Sequence, residues 1–127
     1  MFLEGWMKRD MDLVREILLN VEALPFDGGF HDITIDGHTN EEITYHVMLL
    51  DEAGFIEAQD LTTMDGICWK PKRLTYAGHE FLDAARSDTV WQKAKAWTLK
   101  STGTLTLEGL KLALPHVVKA LIASGGS

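Results

Sequence analysis

TNEEITYHVMLLDEAGFI, at residues 39–56, carries signals for the start, the inner face and the end of one helix. Thr39 and Glu42 have the spacing of a capping box, in which each side chain accepts a hydrogen bond from the other residue's backbone N–H. Ile43, Val47 and Leu50 recur at helical spacing and form the inner face. Gly54 follows where a left-handed residue would close the last turn. The segment therefore predicts a capped helix followed by a strand.

The opposite face of this helix is acidic. At about 100° per residue it carries the following residues: Glu41, Thr44, Tyr45, Met48, Asp51 and Glu52. Neither Lys nor Arg lies on that face, and acidic side chains repel the phosphates from which most DNA affinity comes. We therefore expect Tyr45 and Met48 to contact a protein partner.

The patterns around this helix predict a hairpin and further helices. Apolar residues at helical spacing over 11–24 predict an amphipathic first helix, and HDITID at 31–36 alternates as a short strand. Residues 55–61 and 67–70 read as two strands joined by a turn that contains Asp-Gly. Pro71 is expected to end the pairing because it has no N–H to donate.

Downstream, Thr75, Ser87 and Thr106 are candidate N-caps of three helices. Pro115 falls inside the last helix and is expected either to kink it or to split it in two. Two or three helices should therefore follow the helix after the hairpin.

The order helix, short strand, capped helix, β-hairpin, helix resembles that of a winged helix-turn-helix domain. Residues 45–56 are similar to the recognition helix and first wing strand of bacterial winged-helix regulators, and residues 73–79 resemble the start of the helix after the wing. This chain departs from the pattern in one respect, because a strand and loop replace the helix that normally precedes the recognition helix. The resemblance implies an α+β, mostly helical fold with a winged-helix-like core.

The expected organisation is one domain over residues 1–127. Within it we assign the winged-helix-like core to residues 7–87, a helical extension to residues 88–123 and a flexible tail to residues 124–127.

Four separated segments, at residues 7–15, 45–56, 73–84 and 88–91, together resemble a family of short proteins of bacteria, phages and prophages. That family is known only as a domain of unknown function. The similarity runs from Met7 to the last helix. It implies the fold and a phage or prophage context, but no activity and no catalytic residues.

Composition and charge exclude several classes of protein and of site. The 127 residues include one cysteine, Cys68, which excludes an intrachain disulfide and a thiolate zinc cluster and fits the cytoplasm. Residues 1–66 hold three Lys/Arg and fifteen Asp/Glu, a net charge of −12, whereas residues 67–127 carry +5. No apolar run predicts a secretory signal or a membrane span.

The spacing of reactive residues indicates no catalytic centre, metal or cofactor. His79 and Glu80 begin like a zinc-protease helix, but Asp83 stands where the second His belongs. His31 and His38 flank the predicted strand, where turn chemistry accounts for them more simply than metal binding does. Cys68 has no His partner that the sequence places nearby. We therefore expect a noncatalytic protein.

The first functional hypothesis is a phage- or prophage-associated adaptor that binds protein through Tyr45, Met48, Trp91 and Trp97. The last helix is apolar over a wide arc. It either folds back onto the core or forms a homodimer through residues 88–123.

The alternative is a DNA-binding transcriptional regulator. Lys70, Lys72 and Arg73 would then anchor the wing along a phosphate backbone while Thr44 and Tyr45 approach the bases. A further alternative is that the acidic half imitates a nucleic-acid surface and blocks a DNA-binding protein.

Overall fold

The computed structural model describes residues 8–124. Its elements are, in chain order, α1 (Met11–Glu22), α2 (Asn40–Glu52), β1 (Ile56–Asp60), β2 (Trp69–Leu74), α3 (Tyr76–Ala85), α4 (Asp88–Thr102) and α5 (Leu107–Ala123). The expected α+β, mostly helical fold is confirmed. The chain divides into two compact units, Met1–His79 and Glu80–Ser127. Apart from Ser124, the predicted tail lies outside the described residues.

The core of the first unit forms where the apolar faces of α1 and α2 meet the hairpin. The buried side chains of α1 and α2 follow the spacing that predicted these helices. They are Met11, Leu13, Val14, Ile17, Leu18 and Val21 from α1 and Ile43, Val47 and Leu50 from α2. Phe55, Ile56 and Leu74 complete the core from the hairpin.

The predicted ends of α2 are confirmed. Thr39 Oγ1 accepts from the N–H of Glu42 at 3.1 Å, and Glu42 Oε1 accepts from the N–H of Thr39 at 2.8 Å. The bond from the Thr39 N–H lowers the pKa of Glu42, and the nearby His38 adds to that effect. Gly54 adopts a φ of 81°, the left-handed conformation that closes the helix.

A buried imidazole joins α1 to α2. His46 is 2% exposed, and its Nδ1 lies 2.8 Å from the carbonyl of Glu42, while its Nε2 lies 2.8 Å from the backbone N–H of Asp10. Because a backbone N–H can only donate, Nε2 must accept and Nδ1 must carry the proton. The Asp10 carboxylate in turn caps α1 by accepting from Asp12 and Leu13. One side chain of α2 thus fixes the position at which α1 begins.

The prediction of a strand at residues 31–36 is wrong. Residues 31–35 form no strand, and the N–H of His31 makes one backbone hydrogen bond, of 3.0 Å, to the carbonyl of Pro71. Pro71 has no N–H to return, so a ladder cannot propagate from this contact.

Pro71 also does not end the hairpin, because β2 continues through it to Leu74. In the antiparallel register Ala58 faces Pro71 and Glu57 faces Arg73, which leaves Lys72 as the extra residue of a bulge. The bond from His31 to the Pro71 carbonyl shows that the backbone groups of Pro71 point to the outer edge of β2. The missing N–H therefore costs the β1–β2 ladder nothing.

In the second unit α4 and α5 pack against each other, and Ser87 and Thr106 cap them as predicted. Gly109 permits the close approach, since a Cβ there would lie 2.6 Å from Cγ2 of Thr98. α5 passes through Pro115 without division, because buried Leu114 and Val117 hold both sides of the proline in the core. Two helices therefore follow α3, and the expectation of a split helix is wrong.

Replacement of His46 by leucine should lower the free energy of unfolding by about 1–3 kcal/mol, because the Asp10 N–H loses its acceptor in a partly buried position. Urea unfolding followed by circular dichroism measures the change. His79→Leu is the control, since His79 is exposed and its substitution should change stability by less than about 0.5 kcal/mol. Equal effects of the two substitutions would contradict the bridge.

Candidate binding cleft beside the β-hairpin

A cleft of about 530 Å³ lies within the first unit, between residues 32–34, the first turn of α2 and residues 67–71. This volume falls in the range of ligand and side-chain binding pockets. Its lining consists of Asp32, Ile33, Thr34, Asn40, Glu41, Ile43, Thr44, Ile67, Cys68, Trp69, Lys70 and Pro71.

One hydroxyl group joins the two walls of the cleft, which are formed by the start of α2 and by β2. Thr44 Oγ1 accepts a hydrogen bond from the backbone N–H of Trp69 and donates another, of 3.3 Å, to the Trp69 carbonyl. A hydroxyl can do both because it has one donor and two lone pairs. The first turn of α2 is therefore fastened to β2 by both backbone groups of a single residue.

The same helix covers the other edge of the hairpin. Asp51 accepts a 3.0 Å hydrogen bond from the N–H of Ala58 on β1. On β2, Thr44 occupies both outward backbone groups of Trp69, and His31 occupies the outward carbonyl of Pro71. At these positions an extended chain cannot pair with the hairpin as an added strand. These positions therefore offer side chains rather than free backbone groups to a molecule outside.

Thr44 and Asp51 were expected on the outer face of α2, and that expectation is wrong because the hairpin covers this side of the helix. The predicted base contact from Thr44 would have to break its bonds to Trp69. Tyr45 and Met48 are half-buried, and the Tyr45 ring meets the His46 ring edge-on at a centroid distance of 5.7 Å. Both retain some surface for a partner.

Two of the three cations of the predicted basic cluster are held in ion pairs. Lys70 Nζ lies 2.5 Å from Asp32 Oδ1, and hydrogen bonding to Asp32 raises the pKa of Lys70. Arg73 Nε lies 2.9 Å from Glu57 Oε1. Lys72 has no ion-pair partner within residues 8–124. Acidic neighbours therefore neutralise two of the three cations.

The structure also divides the cluster between two cavities. Lys70 lines the cleft, whereas Lys72 and Arg73 line a separate cavity of about 310 Å³ in the same unit. The three side chains therefore do not converge on one site. Sequence spacing could not show this, because the bulge at Lys72 breaks the alternation of the strand.

The two candidate tryptophans of the second unit differ. Trp91 has 0% exposure and packs edge-on to Phe81 at a centroid distance of 6.3 Å, so it belongs to the core and offers no surface to a partner. Trp97 is half-buried, and its ring lies 5.1 Å from that of His116. Of the pair, Trp97 alone remains accessible.

Sequence reasoning missed the apolar residues of the cleft. Ile33 and Ile67 were interpreted as strand residues, yet neither lies in a strand, and Ile67 is 68% exposed. The feature that could have indicated a binding site is an apolar side chain in a segment that is neither helix nor strand. Cys68 is free and half-buried in the same wall. Within residues 8–124 no three His, Cys, Asp or Glu side chains are grouped so as to hold a metal ion.

Residues 8–104 match a family described as hypothetical protein (DUF2513). The chain belongs to this family. It is also 35% identical over 120 residues to an uncharacterized protein of Haemophilus influenzae (strain ATCC 51907 / DSM 11121 / KW20 / Rd), a match that covers 92% of this chain and 100% of that protein. No solved structure matches the chain.

The range shared with the family contains every residue that lines the cleft. The expected membership of a family of unknown function is thus confirmed, whereas the winged-helix core stays a prediction. None of the helices within residues 8–124 has the length and apolarity needed to cross a membrane.

Thr44→Val should lower the free energy of unfolding by about 1–3 kcal/mol, because it keeps the side-chain shape but leaves both backbone groups of Trp69 unpaired. Thr44→Ser retains the hydroxyl and should cost less. Urea unfolding measures both variants, with Thr34→Val as the matched control in the same cleft, where the threonine is exposed. If Thr44→Val were no more destabilising than Thr34→Val, the proposed fastening of α2 to β2 would be incorrect.

Proposed function

We propose that this chain is a noncatalytic protein-binding adaptor whose cleft takes a large apolar side chain of a partner, with a Lys or Arg of that partner beside it. The observation that carries the proposal is the combination of apolar walls and an acidic rim in the cleft. Fold membership alone does not choose a function.

The walls supply the apolar part of the binding site. Ile33, Ile43, Ile67, Trp69 and Pro71 line the cleft, and Ile67 leaves most of its side chain in water. Covering such a side chain removes apolar surface from water and favours association. Because Thr44 and His31 occupy the outward groups of Trp69 and Pro71, the β2 residues that line the cleft, the partner would contribute side chains there rather than a β-strand.

Charge supplies the preference for a basic partner. Asp32 and Glu41 line the cleft, and Lys70 opposite them is already paired with Asp32. Glu41 has no ion-pair partner within residues 8–124. The surrounding 66-residue segment carries a net charge of −12, which would attract a cationic partner and speed its approach.

Two observations disfavour the alternative of a DNA-binding regulator. DNA affinity depends on cations that displace counterions from phosphates, and Lys70 and Arg73 are engaged by Asp32 and Glu57. Thr44, a candidate base contact, is engaged by Trp69. Lys72 is the cluster's remaining cation.

The phage or prophage context and the homodimer through residues 88–123 stay predictions. Within the segment of the predicted dimer, Leu99 on α4 and Leu112 and Ile122 on α5 are exposed apolar side chains.

The proposal predicts the sequences of peptides that bind the full-length chain. Random peptides displayed on phage and selected on the immobilised protein should be enriched in a large apolar residue next to Lys or Arg. Fluorescence polarisation then measures the affinity of the selected peptides. Ile67→Asp should weaken binding by about tenfold or more, because it removes an apolar wall and adds an unfavourable group for the partner's apolar side chain.

Met64→Asp is the matched control, since Met64 lies in the same loop, is fully exposed and does not line the cleft. It introduces the same charge and should leave the affinity unchanged. Failure to enrich any peptide, enrichment of acidic peptides, or equal binding to the Ile67→Asp variant would overturn the proposal.

A further inference from the structure

We infer that the second cavity of the first unit binds a small organic anion, a phosphate or carboxylate carried on an apolar body. The cavity has a volume of about 310 Å³, at the small end of the range for ligand pockets. Its lining residues are Val21, Glu22, Leu24, Pro25, Phe26, Lys72, Arg73, Leu74 and His79. This site is separate from the cleft and does not depend on the proposed adaptor function.

The polar groups of the cavity favour an anion. Lys72 is half-buried there and has no ion-pair partner within residues 8–124. Arg73 lines the same cavity; its Nε pairs with Glu57 and its Nη1 donates to the carbonyl of Leu74 at 3.0 Å, and the remaining N–H groups of the guanidinium are further donors. His79 can add an imidazole N–H. Glu22, the acid of the lining, is engaged in an interaction of its own.

Cations are scarce in the first unit, and half of them lie on β2. Met1–His79 contains six Lys/Arg and fifteen Asp/Glu, a net charge of −9. Three of those six cations belong to β2, and Lys70 is paired with Asp32 in the other cavity. An anion would therefore have to be bound by local contacts, and Lys72, half-buried and without an ion-pair partner within residues 8–124, offers it a direct one.

The apolar part of the lining indicates what the anion is attached to. Phe26 is 88% exposed and stands at the cavity with Leu24 and Pro25, just beyond the end of α1. A ring or short hydrocarbon of the ligand would cover this exposed aromatic surface while its charged end meets Lys72 and Arg73. The lining combines five apolar residues with four polar ones, which suits a ligand that has both an apolar body and a charged end.

Titration of the ¹⁵N-labelled full-length chain with phenyl phosphate, benzoate and benzyl alcohol tests the inference. These probes share a ring and differ in the polar group. At constant ionic strength, at least one anion should give saturable shifts of amides in residues 21–26 and 72–79, with a dissociation constant of about 1 mM or lower. The anion that binds more tightly identifies a phosphate or a carboxylate as the preferred group, and benzyl alcohol should not saturate.

Lys72→Gln should weaken anion binding by about tenfold, whereas Lys70→Gln removes the same charge from the other cavity and should not change it. Spectra that match the wild type away from the substitution establish that both variants fold. The inference is overturned if benzyl alcohol binds as well as the anions, if neither anion gives saturable shifts, or if the two lysine variants lose affinity equally.

Discussion

The hydroxyl of Thr44 is the contact on which the candidate site depends. It satisfies both outward backbone groups of Trp69, so it sets the separation between the first turn of α2 and β2 and thereby opens the cleft. Asp51 makes the corresponding contact with β1. The sheet of the described residues has two strands, and these helix side chains bond outward backbone groups of Trp69 and Ala58, which blocks the addition of a further strand at those positions. The site that remains is a side-chain pocket.

Intramolecular ion pairs set the charge that the hairpin presents. In the element order of a winged helix, basic residues on the hairpin would suggest DNA, yet Asp32 and Glu57 hold Lys70 and Arg73. Exposed ion pairs contribute little to stability, so their main effect is on the electrostatic potential that a partner meets. Within residues 8–124, Glu41 in the cleft and Lys72 in the other cavity have no ion-pair partner. The two proposed sites therefore take ligands of opposite charge.

Local sequence signals were sufficient to predict most helices and strands. They were not sufficient to predict the contacts between residues that are far apart in the sequence. The caps at Thr39, Ser87 and Thr106 are encoded within four residues, and each is present. Residues 31–36 have the alternation of a strand, but a strand also needs a partner that both donates and accepts hydrogen bonds. Their partner is Pro71, which has no N–H to donate. A helical wheel could separate the faces of α2 but could not show that the hairpin covers Thr44. The pairing of Lys70 with Asp32 joins residues far apart in sequence and left no pattern to detect.

Under the proposed function, neighbouring carboxylates, and not an absence of cations, keep this hairpin from binding DNA. Fluorescence anisotropy with a random-sequence duplex at low ionic strength tests it on the wild type and on the double variant Asp32→Asn, Glu57→Gln, which frees Lys70 and Arg73 without changing their side chains. We predict weak or absent binding by the wild type and an affinity higher by about tenfold or more for the variant. Tight binding by the wild type that persists at physiological ionic strength and is lost in Lys70→Gln would contradict the account.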